Sequence, residues 1–119
     1  MQPSGYEQAL SLSLDTTFAA LADPTRRAIL VRLLEGEASV TELAEPFAMS
    51  QPAVSKHLKV LAEAGLVSVA KDGQRRPRKL VPEPLMEATG WLQRLREVWE
   101  ADYQRLDALL SRLQSASQS

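Results

Sequence analysis

Cysteine is absent from the 119-residue sequence, which excludes disulfides, thiolate-held metals, iron–sulfur clusters and a cysteine nucleophile, and leaves stability to packing alone. There is one histidine, His57, and no glycine-rich phosphate loop. No nucleophile and base can be assembled from that inventory, so an enzyme is not expected. No stretch approaches the roughly 20 apolar residues that span a bilayer, and Met1 to Ser13 has no basic segment followed by an apolar run. A cytoplasmic protein is expected. With 45% hydrophobic residues the chain has enough apolar material for one domain around one core, and too little for two.

The net charge of −1 conceals an asymmetry. Residues 50–80 carry Lys56, Lys59, Lys71, Arg75, Arg76, Arg78 and Lys79 against Glu63 and Asp72, a net +5, which leaves −6 for the remainder. An acidic body thus carries a basic segment. A run of lysine and arginine is by itself often no more than a solvated face, so its meaning depends on the elements that flank it.

Those elements are legible from their boundaries. Leu14, Phe18 and Leu21 recur at helical spacing after Ser13, a suitable N-cap, and predict a helix from about Leu14 to Ala22, preceded by a flexible arm over residues 1–13. Asp23-Pro24 starts a second helix, because aspartate accepts orphan amide bonds and proline at the first helical position loses no donor. It is expected to bury Ile29, Leu30, Leu33 and Leu34 and to stop at Gly36. Ser39 and Glu42 have the spacing of a capping box, which starts a third, short helix near Val40. Pro46 lies within it and would cost about 3 kcal/mol in a regular interior, so the helix should end near Ala48 through a distorted last turn. Ser50 caps a fourth helix with Pro52 in its first turn, closed by Gly65.

On that fourth helix Val54, Leu58 and Leu61 face the core, and Lys56 points almost directly away, with Pro52, Ala53 and Lys59 sharing the outer side. Nothing bulky near its N-terminus would hold such a helix off the base edges of a major groove. Leu66 to Lys71 and Gln74 to Val81 then flank Asp72-Gly73, a hairpin signal. Arg75, Arg76, Arg78 and Lys79 follow the turn and suit a hairpin laid along phosphates. Pro77 lacks an amide donor, which predicts that its strand lies at a sheet edge.

Pro84 to Gln114 has the pattern of one long helix, bent at most at Gly90. Leu92, Trp99, Leu106 and Leu113 recur every seven residues, with Leu95 and Leu109 between them and Asp102 interrupting. Trp91, Val98, Tyr103 and Leu110 widen the apolar surface. So long a stripe cannot be hidden within so small a domain, which predicts that it packs against the first helix, with Leu14 and Phe18, and against a second subunit. Residues 115–119 are expected to fray, so that one domain spans 14–114.

The order helix, helix, short helix, turn, helix, hairpin, long helix resembles the ArsR family of bacterial winged helix-turn-helix repressors over about residues 14–114. FAALADPTRRAIL at 18–30, MSQPAVSKHLKVLAEAGLV at 49–67 and DGQRRPRKL at 72–80 carry the resemblance. It implies a mainly α fold with a small β-hairpin wing, the winged helix-turn-helix being centred on residues 39–81. It also implies a homodimer, joined through its first and last helices, that binds double-stranded DNA at an inverted-repeat operator. Ser50, Gln51, Ser55, Lys56, His57 and Lys59 match the positions that meet DNA, and Arg75, Arg76 and Arg78 match the wing. The residue pattern agrees for the lysines and arginines. For Ser55 a bond to its own helix backbone, and for His57 a boundary packing role, are also open, and their phosphate-contact role is what the resemblance implies.

Many members of this family sense metal through cysteine pairs or through Asp and His clusters on the last helix. This chain has neither, so no metal or other cofactor is expected. A small-molecule effector near the tryptophans is compatible with the pattern but is not identified by it. Pro77 and Arg78 stand where the family commonly has bulky apolar or aromatic residues. The alternative function is a winged-helix module that pairs with another protein through Trp91, Trp99 and Tyr103.

Overall fold

The computed structural model describes residues 5–71 and 73–118, with side chains over 13–71 and 73–116. Five α-helices and one hairpin follow in order: α1 (Gly5–Leu21), α2 (Pro24–Leu33), α3 (Val40–Ala44), α4 (Gln51–Glu63), β1 (Val67–Val69), β2 (Arg78–Leu80) and α5 (Glu83–Gln118). The chain divides into two compact units, Met1–Ala88 and Thr89–Ser119. Among the described residues no helix is long and apolar enough to cross a membrane.

In the first unit, one core draws on every element. Ile29, Leu43, Val54, Leu61 and Leu66 are fully buried, joined by Ala20, Leu30, Leu33, Ala38, Leu58 and Val67. Each large side chain so buried contributes about 1.5–3 kcal/mol relative to exposure. The starts of α2, α3 and α4 follow their expected caps. Asp23 Oδ2 accepts from the Arg26 amide at 3.0 Å and opens α2. Ser39 and Glu42 form both halves of the capping box of α3. After α3 the chain tightens into a 3-10 turn, Glu45–Phe47, with Pro46 at its start, where the missing amide breaks no α-helical bond. Ala48 then takes the left-handed conformation at φ 51°, a mild strain for a residue with a Cβ, and redirects the chain into α4.

Several expectations are corrected. The first helix begins at Gly5, not Leu14, so it occupies most of the stretch expected to be an arm, because Glu7 to Leu10 are good helix formers with no breaker among them. Residues 1–4 of that arm lie outside the described residues. Ser13 is therefore interior, and its Oγ donates to Glu87 Oε2 at 2.9 Å instead of capping. The buried face of α1 holds Thr17 and Ala20, while Leu14 is half-buried and Phe18 exposed. Leu34 is exposed, because α2 ends one residue earlier. At the other end α5 stays helical through Gly90 and reaches Gln118, into the expected frayed tail, of which Ser119 lies outside the described residues.

The hairpin differs most. Its register pairs Val67 with Leu80, Ser68 with Lys79 and Val69 with Arg78. A two-residue turn at Asp72-Gly73 would have set Val69 opposite Arg76, so the strands are shorter and the connection longer than expected. Asp72 lies outside the described residues; Gly73 takes φ +63°, as a turn glycine does. Pro77 explains where pairing stops. Its carbonyl accepts from the Ala70 amide at 2.9 Å, but it has no N–H to return, and the ladder closes at Val69 and Arg78. The sheet has two strands, so β2 lies at an edge as expected, and Arg78 in addition exchanges both backbone bonds with Ala38, at 2.7 and 3.0 Å, in an isolated bridge. Pro77 itself stands immediately before the strand, where its missing amide costs no ladder bond.

Candidate nucleic-acid interface

The surface formed by α4 is built from its cap outward. Ser50 Oγ accepts from the Ala53 amide at 3.3 Å and fixes the first turn. Val54, Leu58 and Leu61 anchor the inner face in the core, which leaves Gln51, Pro52, Ser55, Lys56 and Lys59 exposed on the other. Ala53, expected on the outer side, is half-buried at its edge. The exposed residues at the N-terminal end are short or planar, and the lysines project beyond them.

His57 is held differently. It is half-buried, with Nδ1 at 3.7 Å from Asp23 Oδ2 and 3.5 Å from Arg26 Nη1. It therefore ties α4 to the start of α2, the packing role that the sequence left open. Asp23 is the hub of that junction: the Arg26 amide, then the nearby His57 and Arg26 charges, hold its carboxyl below the usual value of 3.8, against the opposing effect of partial burial. Arg26 donates in addition to the Ala20 carbonyl at 2.6 Å and the Ala19 carbonyl at 3.1 Å, and Arg27 to the Leu21 carbonyl at 2.8 Å. These are the last carbonyls of α1, which a helix leaves without internal partners. The motif at 18–30 thus fastens α1, α2 and α4 together and is not itself a groove-facing segment.

In the wing, Arg75 and Arg76 are exposed, as are Lys71 and Lys79. Arg78 is half-buried, and its guanidinium donates to the Arg76 carbonyl, so it braces the wing. The first turn of α3 meets both basic elements. Gln51 Nε2 donates to Thr41 Oγ1 at 3.1 Å, and the adjacent Glu42 lies 3.7 Å from Arg75 Nη2 and 3.8 Å from Arg32 Nη2. Thr41 had not been singled out from the sequence, and Glu42 only as a cap. Contacts spanning ten and thirty-three positions leave no periodic trace.

The second unit is a solitary helix. Every described side chain from Thr89 to Ala116 is exposed, including Leu92, Leu95, Trp99, Leu106, Leu109 and Leu113, the residues expected at a dimer interface. Two of its carboxylates pair along the helix: Glu100 with Arg96 at 3.0 Å, and Asp102, which interrupts the stripe, with Arg105 at 3.5 Å. Among the described residues no three of His, Cys, Asp and Glu are grouped to hold a metal ion.

Comparison with known proteins supplies the context. The sequence model described as "Bacterial regulatory protein, arsR family" matches residues 23–69, from the cap of α2 through β1. The chain is 51% identical over 73 residues to the HTH-type transcriptional regulator Rv2034 of Mycobacterium tuberculosis, covering 61% of this chain and 68% of that one. It is 34% identical over 79 residues to the transcriptional repressor SdpR of Bacillus subtilis, covering 66% of this chain and 88% of the relative. A solution structure described as a homodimeric winged helix-turn-helix DNA-binding domain from Mycobacterium bovis superposes with a TM-score of 0.64 at 26% identity, covering 81% of this chain and 91% of that one.

Proposed function

The chain belongs to the arsR family of bacterial regulatory proteins, winged helix-turn-helix transcriptional regulators that bind DNA, and from that premise we propose that it acts as a homodimeric repressor at an inverted-repeat operator. The observation that carries this is the start of α4: a capped first turn with Gln51, Pro52, Ser55 and Lys56 exposed in front of a fully anchored apolar face. Ser50, Pro52, Ala53 and Ser55 let the helix approach the floor of a major groove. Gln51 retains its carbonyl and one N–H beyond the bond to Thr41, the pair that matches adenine, and Lys56 suits the acceptors of guanine. Lys59, Arg75 and Arg76 bind phosphate, while His57 and Arg78 support from behind.

Two copies joined by the exposed faces of α1 and α5, through Leu14, Phe18, Leu92, Leu95, Trp99, Leu106, Leu109 and Leu113, would present two α4 helices to successive grooves, about 34 Å apart. The name of SdpR supports repression, and the M. bovis homodimer supports self-association. A regulator independent of metal is supported by the lack of cysteine and by the engagement of the one histidine with Asp23 and Arg26, and the cytoplasm is where its DNA partner would be met.

Titration of a duplex from upstream of the protein's own gene, at two salt concentrations, tests the proposal. If the dimer neutralises roughly 6 to 10 phosphates, log affinity falls with log salt at about −0.9 per phosphate. Lys56→Ala should weaken this duplex more than a random one, whereas Lys59→Ala should weaken both alike. Salt-insensitive or absent binding would sink the proposal. The exposure of Trp91, Trp99 and Tyr103 favours one second reading, a module that pairs with a different protein. A chain that remains monomeric in sedimentation would select it.

A further inference from the structure

Glu42 stands between three groups that want a carboxylate. Oε1 accepts from the Ser39 amide at 3.4 Å to complete the cap of α3 and from Ser39 Oγ at 3.1 Å, and lies 3.7 Å from Arg75 Nη2 in the wing; Oε2 lies 3.8 Å from Arg32 Nη2 in α2. Arg32 has a second carboxylate at hand, Glu35 at 3.8 Å. Among the described residues Arg75 has its ion pair with Glu42 alone. The Arg75 side chain is 69% exposed, so the pair contributes little to folding. Its consequence lies in where it holds the guanidinium.

We propose that Glu42 is a positioning residue for the wing, holding Arg75 against the first turn of α3 in the free protein and competing with the DNA phosphate for that guanidinium. The proposal rests on the wing being a phosphate-binding element. An arginine already facing a carboxylate must exchange one anion for another when DNA arrives, so its net gain is smaller than that of a free arginine. The pairing also lowers the number of counterions that Arg75 displaces from the duplex. Glu42 thus moderates affinity while the adjacent Thr41 steadies Gln51, and one turn of α3 governs both basic elements. That role would explain an acidic residue within a surface otherwise suited to anions. The cap itself does not require charge, because glutamine serves equally at this position.

Glu42→Gln is accordingly the informative substitution, since it preserves the cap and removes the competing anion. Full-length protein would be titrated against a labelled random-sequence duplex of about three helical turns, at two salt concentrations, as wild type, Glu42→Gln, Arg75→Ala and the double variant, with thermal melts to verify folding. Glu42→Gln should tighten binding about three- to tenfold at low salt and steepen the salt slope by up to about 0.9, and Arg75→Ala should cancel both gains. The Arg75 Nε–H resonance of the free protein should shift in Glu42→Gln, a direct readout of the pair. Unchanged binding in Glu42→Gln, or equal tightening with and without Arg75, overturns the positioning role while leaving the DNA-binding reading intact. A wild type that binds no duplex overturns both.

Discussion

Two helices of this protein carry the same kind of apolar stripe and meet opposite fates. In α4, Val54, Leu58 and Leu61 are 0%, 3% and 0% exposed; in α5, Trp99 and Leu106 are 65% and 54% exposed. The stripe of α4 needs only the α2, α3 and β1 surfaces that the local chain brings within reach. Over its 36 residues α5 extends about 54 Å, longer than the diameter of a domain of this size, so its outer turns have no core of their own to enter. Periodicity reports that a face is apolar. It does not report whether the partner lies in the same chain.

The comparison can be broken most severely through α4. Leu61→Ala should cost about 2–5 kcal/mol, much of the stability of a small domain, and should do so independently of protein concentration in denaturant titration. Leu106→Lys in α5 should act differently. The first unit would stay folded by circular dichroism, sedimentation would give a monomer, and affinity for a two-half-site duplex would fall by about 10²–10⁴-fold as bivalent engagement is lost. A Leu106→Lys protein that remains dimeric would contradict the assignment of this face. Ser50→Ala should cost about 1 kcal/mol through the lost cap of α4, measured by thermal melting, and should weaken DNA binding further because Gln51 sits in the turn that frays.

The smallest effect concerns Asp23, at the junction that holds α4 to α2. Its carboxyl titrates below the usual 3.8 in the folded chain, so the stability it adds is present above that value and is lost as pH falls through the lower folded one. Asp23→Asn retains an N-capping side chain but not the charge. Its deficit relative to wild type should be present at neutral pH, shrink as pH falls below 3.8 and vanish only below the lower folded value. A deficit unchanged across that range would assign Asp23 to capping alone.

Local chemistry carried much of this fold in plain view. Asp23, Ser39 and Ser50 each cap the helix they precede, and Gly65 ends α4, because these interactions lie within three or four positions of one another. The hairpin was legible in kind but not in register, since Pro77 stops the ladder only once its partner Ala70 is known. The sites were legible in part. Exposure of Lys56, Lys59, Arg75 and Arg76 follows from the stripes and the turn, whereas the engagement of His57 and Gln51 depends on atoms far along the chain.

By itself, then, the sequence determined the number and order of the elements, the starts of α2, α3 and α4, the inward face of α4 and the basic character of the segment from 50 to 80, all of which follow from spacing and from the donors and acceptors of one turn. Tertiary structure decided the rest. It joined Arg78 of β2 to Ala38 through an isolated bridge, it set His57 against Asp23 and Arg26, and it brought Glu42 against Arg75. Those outcomes required distant segments to meet, and meeting is a property of packing that no local pattern encodes.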